Sequence, residues 1–190
     1  MKRVVIDSVE PSVRENDIER RDLSDPLGTI DVAINHYRLA PGERFAGGLH
    51  AHMDQEEVFF VLEGEATYEM MDGEVTVSEG EAIRFAPGEF QSGKNASDSK
   101  LVVCAMGAPR DSEDIRIPVG CPECDHDNMC LVLDRDRPTF VCPDCSAERI
   151  PQGCPECGYD EMRVVLGEDT QTVVACPDCG TTFEKPPFEK

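Results

Sequence analysis

Eight of the ten cysteines in this 190-residue chain fall in four Cys-Pro-[Glu/Asp]-Cys units, all beyond residue 120. Residues 121–145 read CPECDHDNMCLVLDRDRPTFVCPDC, and residues 154–179 read CPECGYDEMRVVLGEDTQTVVACPDC. The offset between the copies is 33 residues at the first unit and 34 at the last, a tandem duplication. Each copy is a Cys pair, an apolar segment (MCLVL, MRVVL), an acidic turn, a second apolar segment (TFVC, TVVAC) and a second Cys pair. That pattern predicts a β-hairpin with cysteines at both of its roots. A module this short cannot bury a useful core, so something other than hydrophobic burial has to hold it. The chain starts MKRVVIDSVEPS, without a secretory apolar segment, so paired cysteines read as metal ligands rather than disulfides.

Each copy resembles a zinc ribbon. The resemblance implies one four-thiolate zinc centre from Cys121, Cys124, Cys142 and Cys145, and a second from Cys154, Cys157, Cys176 and Cys179. Crossed pairing is the alternative, since only eight residues separate Cys145 from Cys154; the complete hairpin within each copy argues against it. Cys130 faces Arg163 in the other copy and His126 faces Tyr159, so neither is needed as a ligand. Zinc ribbons often bind nucleic acid, which requires clustered Lys and Arg. Residues 118–190 carry 15 acidic and 6 basic side chains, so nucleic acid is disfavoured and the modules read as structural or protein-docking units.

A second constraint lies upstream, in GLHAHMDQEEVFFVLEG (48–64). His50 and His52 are two apart, so in a strand both imidazoles point to one face. Glu57 follows, leading into an apolar run that ends at Gly64. Two neutral imidazoles and a carboxylate suit a divalent metal. Alternation sends Glu56 to the opposite face and puts Phe59 and Val61 on the face of Glu57, as core or pocket wall. Around this stretch, IDVAINHYRL, EVFFVLEG, EATYEMM, EVTVSEG, EAIRFAPG and KLVVCAMG read as short strands. Pro41-Gly42 and Asp72-Gly73 mark turns. Regular short strands without an amphipathic helix predict a sandwich or small barrel. VVIDSV near the start reads as an edge strand, most of the rest of 1–29 as an arm, and APRDSEDIRIPVG as a linker or strap. His36 reads as a hydrogen-bonded structural histidine, and Cys104 as a small buried hydrophobe.

Residues 28–110 resemble a cupin, a jelly-roll barrel with a metal inside. His50, His52, Glu57 and Gly64 stand at the spacing of the first cupin motif, although Arg44 occupies its leading glycine position. Gly80, Pro87, Gly88 and Asn95 match the second motif more loosely, and Gln91 stands where that motif has histidine. The resemblance implies a barrel metal (Fe, Mn, Ni or Zn) held by His50, His52 and Glu57, with Gln91 as fourth ligand or as a residue tuning the site. It also implies a small polar ligand or substrate, chemistry of the dioxygenase or isomerase type, and a homodimer.

The expected architecture is therefore all-β: a barrel over 1–117, a first ribbon over 118–150 and a second over 151–190. No apolar run is long enough to cross a membrane, and the chain reads as cytoplasmic. The net charge of −21, with 39 acidic and 18 basic residues, is dispersed and poor in lysine. Such composition resembles proteins of salt-loving archaea, in which carboxylates keep a surface hydrated where salt shortens the Debye length to about 3 Å at 1 M. Two functions stay open: a metal-dependent cupin acting on a small molecule, or a non-enzymatic sensor or adaptor whose ribbons dock a protein.

Overall fold

The apolar alternation upstream of residue 110 does become strands, in a computed structural model that describes residues 1–12, 18–45, 47–133, 137–167 and 171–189. In chain order these are β1 (Glu19–Asp22), β2 (Ala33–Leu39), β3 (Ala51–His52), β4 (Glu56–Glu63), β5 (Glu65–Met70), β6 (Gly73–Ser78), β7 (Ala82–Phe85), β8 (Gln91–Lys94), β9 (Leu101–Ala108) and β10 (Ile115–Ile117). A four-residue helix, α1 (Ser24–Leu27), is the one α-helix among the described residues. One sheet has the order β1-β2-β9-β4-β7 and a second β6-β5-β8. Between them lies a core of Leu39, Phe59, Val61, Ala66, Tyr68, Phe85, Leu101 and Val103, each no more than 4 % exposed.

Alternation along β4 places Phe59 and Val61 in this core, while Phe60 and Leu62 face outward at 40 % and 51 % exposure. Gly93 on β8 makes room for the core rings: a Cβ there would meet Phe45 at 2.5 Å and Tyr68 at 2.8 Å. Asn95 is a structural member of its motif. Fully buried, it donates to Leu39 O and Ser99 O and accepts from Ser97, tying the turn before β9 to the end of β2.

Several local expectations are corrected. VVIDSV is not a strand: Ile6–Ser8 forms a single 3-10 turn, with Val5 and Ile6 exposed. The sheet edge is taken instead by Glu-Arg-Arg-Asp in β1, which has no apolar alternation and pairs with β2 through its backbone. The β5–β6 hairpin closes over Met71-Asp72, one residue earlier than read, because Gly73 already pairs with Met70. His36 is buried, but its Nδ1 has no hydrogen-bond partner among the described residues. Cys104 is only partly buried, on the outward face of β9 opposite Phe60 and His36.

The strap after β9 returns to the barrel as β10, which pairs on one side with β3 and on the other with β11 (Met129–Val132). β12 (Thr139–Val141) and β13 (Glu148–Arg149) complete a five-stranded sheet, β13-β12-β11-β10-β3. A last sheet holds β14 (Arg163–Leu166), β15 (Thr172–Ala175) and β16 (Thr182–Phe183). Both predicted hairpins are present, and each gains a third strand that the sequence pattern did not announce. The acidic turns at 134–136 and 168–170 lie outside the described residues. The two modules share a core of Val119, Cys121, Met129, Cys142, Val164 and Val174, joined by Leu49 from the barrel. Among the described residues no helix is long and apolar enough to cross a membrane.

Candidate metal centres

His50, His52 and Glu57 come together at one end of the barrel, their ligand atoms all within 4.8 Å of one another. β3 presents His52, and the residue before β3 presents His50. Glu57 is the second residue of β4, between Phe85 on β7 and Gly107 on β9. Gln91 opens β8, and its backbone exchanges two hydrogen bonds with His50, at 2.9 and 3.1 Å. That pairing carries the Gln91 side chain to the same point. Its Nε2 donates to Glu57 Oε2 at 2.9 Å and lies 3.4 Å from His50 Nε2. The structure thus brings together all four residues selected from the sequence.

A hydrogen bond orients one imidazole and burial acts on the other. His50 Nδ1 lies 3.0 Å from Gly48 O; a carbonyl only accepts, so Nδ1 carries the proton and Nε2 keeps its lone pair toward the site. Burial, and secondarily the neighbouring His50, push the His52 pKa below its ordinary value, against the pull of Glu57. His52 Nε2 lies 3.7 Å from Glu57 Oε2. Glu56 points away, as alternation requires, and pairs with Arg84 at 2.6 Å.

Tyr68 is a residue the sequence reading passed over. It is fully buried in mid-β5, with its ring 5.2 Å from Phe59, 5.5 Å from Phe85 and stacked 6.0 Å from Phe45. Its hydroxyl has no hydrogen-bond partner among the described residues. Burial raises its pKa, and the Glu57 charge adds to the rise, so this hydroxyl stays protonated close to the candidate site. Its parity with Ala66 on β5 marks an inward-facing position. Nothing in the local sequence distinguishes it from an ordinary core tyrosine.

The cysteines gather by repeat. Cys121 Sγ lies 3.6 Å from Cys145 Sγ, and Cys124 Sγ 3.5 Å from Cys142 Sγ. In the second module Cys154 is 3.7 Å from Cys179, and Cys157 3.5 Å from Cys176. Each tetrad draws on a single copy, so crossed pairing does not occur. The Thr181 hydroxyl and N–H pull Cys179 down to about 6. The N–H groups of Cys145 and Asp144 pull Cys142 down to about 6 against burial. One thiol in each tetrad therefore favours the thiolate that metals bind. Cys130 stays outside, 3.7 Å from Asp114 Oδ1. The donor sets fit the groups expected of them: four thiolates for zinc, and two imidazoles with a carboxylate for a divalent cation.

Fold and site define a class, an all-β barrel with a His-His-Glu cluster at one end and a cysteine-rich tail. Residues 35–107 match the model of the cupin domain family. Solved structures agree on the fold. A sugar phosphate isomerase of the cupin superfamily from Silicibacter pomeroyi is 22% identical, with a TM-score of 0.52, over 77% of this chain and 89% of that one. A predicted oxalate decarboxylase from Thermotoga maritima is 21% identical, with a TM-score of 0.50, over 56% and 97%. A conserved protein with a double-stranded β-helix domain from Klebsiella pneumoniae is 18% identical, with a TM-score of 0.50, over 60% and 95%. A comparison with curated protein sequences finds no match.

Proposed function

We propose that this chain is a metal-dependent cupin that binds a small polar molecule at the end of its barrel and acts on it by oxidation or isomerisation. The convergence of His50, His52 and Glu57 within 4.8 Å carries this reading. A divalent Fe, Mn, Ni or Zn bound there would supply Lewis acidity and open positions for a ligand. The protein's own part is to hold His50 in one tautomer through Gly48 O, to keep His52 neutral by burial, and to orient Glu57 through the Gln91 amide.

In this reading residues 1–117 form the binding barrel, and 118–150 and 151–190 are zinc ribbons with one structural zinc each. Dispersed acid suits a haloarchaeal cytoplasm, and the resemblance to cupins supports a homodimer. The ribbons are poor nucleic-acid binders because acidic side chains outnumber basic ones 15 to 6 over 118–190, and two of the cations are engaged: Arg137 pairs with Glu189 at 2.7 Å, and Arg149 pairs with Glu123. A second reading, a ligand-sensing adaptor with protein-docking ribbons, draws on Gln91. Its amide nitrogen occupies Glu57 where the cupin motif has an imidazole, a weaker provision for metal.

Metal content by mass spectrometry tests the first reading, on full-length protein purified in high salt without chelators. Wild type should carry two zinc per chain, one for each tetrad, plus one further divalent metal. The His50→Ala variant should lose only the latter. Zinc alone in both proteins would sink the barrel-metal reading and leave the adaptor.

A further inference from the structure

We infer that the second cysteine module is a working part of the barrel site: its Val164 backbone fixes Gly48 and Leu49, and through them the His50 ring, so that zinc at Cys154, Cys157, Cys176 and Cys179 sets the metal affinity of His50, His52 and Glu57. This rests on the barrel-metal reading above.

Three consecutive residues make the connection. Gly48 lies against the module, where an added Cβ would meet Val164 O at 2.6 Å and Val164 N at 2.8 Å. With φ at +152°, the position also disfavours any side chain. The carbonyl of the same Gly48 fixes the His50 tautomer. Leu49 donates its N–H to Val164 O at 2.7 Å. Its side chain is fully buried, in the core of the C-terminal modules rather than that of the barrel. His50 then enters the candidate metal site. The strand carrying His52 is bound from the other side by β10, which continues into the first module through β11.

Val164 is held in turn by its own hairpin. It pairs with Val174 on β15, two residues before the buried Cys176. A module too small for an independent core depends on its metal to keep that hairpin in place. Zinc loss should therefore release Val164, then Gly48, then the hydrogen bond that orients His50. Losing the hydrogen-bond partner of a ligating histidine typically costs 10- to 100-fold in metal affinity. Binding linkage is reciprocal, so metal in the barrel should also retard zinc release from the second module.

The probe is Ni2+, titrated calorimetrically into full-length, zinc-replete protein, with near-ultraviolet circular dichroism of the Phe59–Tyr68–Phe85 cluster reporting barrel folding. Four proteins are compared: wild type, His50→Ala, Gly48→Ala, and Cys154→Ser/Cys157→Ser. We expect one Ni2+ per wild-type chain, none for His50→Ala, and affinity roughly 10- to 100-fold weaker for the other two. Ni2+ loading of wild type should also slow zinc transfer from one of its two tetrads to a chelator. Wild-type affinity in Gly48→Ala or in a folded cysteine variant overturns the inference and leaves the site reading standing, as does zinc transfer indifferent to Ni2+. A wild-type barrel that takes no Ni2+ overturns the site reading and the inference with it. Should the cysteine variant lose its barrel signal, Gly48→Ala and the zinc-transfer rate decide.

Discussion

Replacing Tyr68 by phenylalanine should stabilise the protein with its barrel free of metal. The ring is fully buried and sits 5.2–6.0 Å from Phe59, Phe85 and Phe45, contacts that phenylalanine keeps. What changes is a hydroxyl without a hydrogen-bond partner among the described residues. A buried, unsatisfied polar group costs about 1–3 kcal/mol, so its removal should return about 2 kcal/mol. For a chain of this size each kcal/mol moves Tm by about 2–4 °C, giving a rise of roughly 4–8 °C. Calorimetric melting of zinc-replete wild type and Tyr68→Phe in the same high-salt buffer reads this directly. A fall in Tm would refute the reasoning, since it would mean that the hydroxyl is hydrogen-bonded in the native state. Retention of a destabilising hydroxyl within the field of the Glu57 charge is what a binding site, rather than a stability-optimised core, would show.

Three further outcomes are expected. Gln91→His replaces an amide that donates to Glu57 by an imidazole with a lone pair, and should tighten barrel metal binding by at least about 10-fold, or 1.4 kcal/mol; equal or weaker Ni2+ binding would show that position 91 does not reach the metal. His36 has its pKa lowered by burial, then by Arg38 and Arg21, so the folded state binds fewer protons than the unfolded chain and stability falls as pH drops below about 6.5. The loss of Tm between pH 7.5 and pH 5 should accordingly be smaller in His36→Gln, and an identical loss would remove His36 from the account. Ser146 holds a left-handed φ of +60° at the position where the second module has Gly180, so Ser146→Gly should stabilise the first module by about 1 kcal/mol, read as slower zinc release to a chelator; faster release would count against a strained turn.

Much of the site was legible because its determinants are local. A one-residue gap between His50 and His52, strand parity at Glu57, and Cys-Pro-x-Cys spacing fix where side chains point before any tertiary contact forms. Gln91 was legible only through its place in a motif, because the backbone pairing that brings it to His50 spans 41 residues. Tyr68 was not legible, since whether an inward tyrosine finds a partner for its hydroxyl depends on every strand around it.

By itself the sequence determined the all-β character, the duplication, the grouping of the cysteines by copy and the clustering of His50, His52 and Glu57, because short-range periodicity and residue spacing encode them. Only the tertiary structure decided that the two halves are one assembly. β10 enters the sheet of the first module while pairing with β3, and Leu49 leaves the barrel to complete the core of the tail. The physical reason is that such contacts are made by backbone N–H and C=O groups and by shape. Every residue carries those backbone groups, so a sequence pattern cannot announce which of them will meet; the fit of Gly48 against Val164 exists only once both strands are in place.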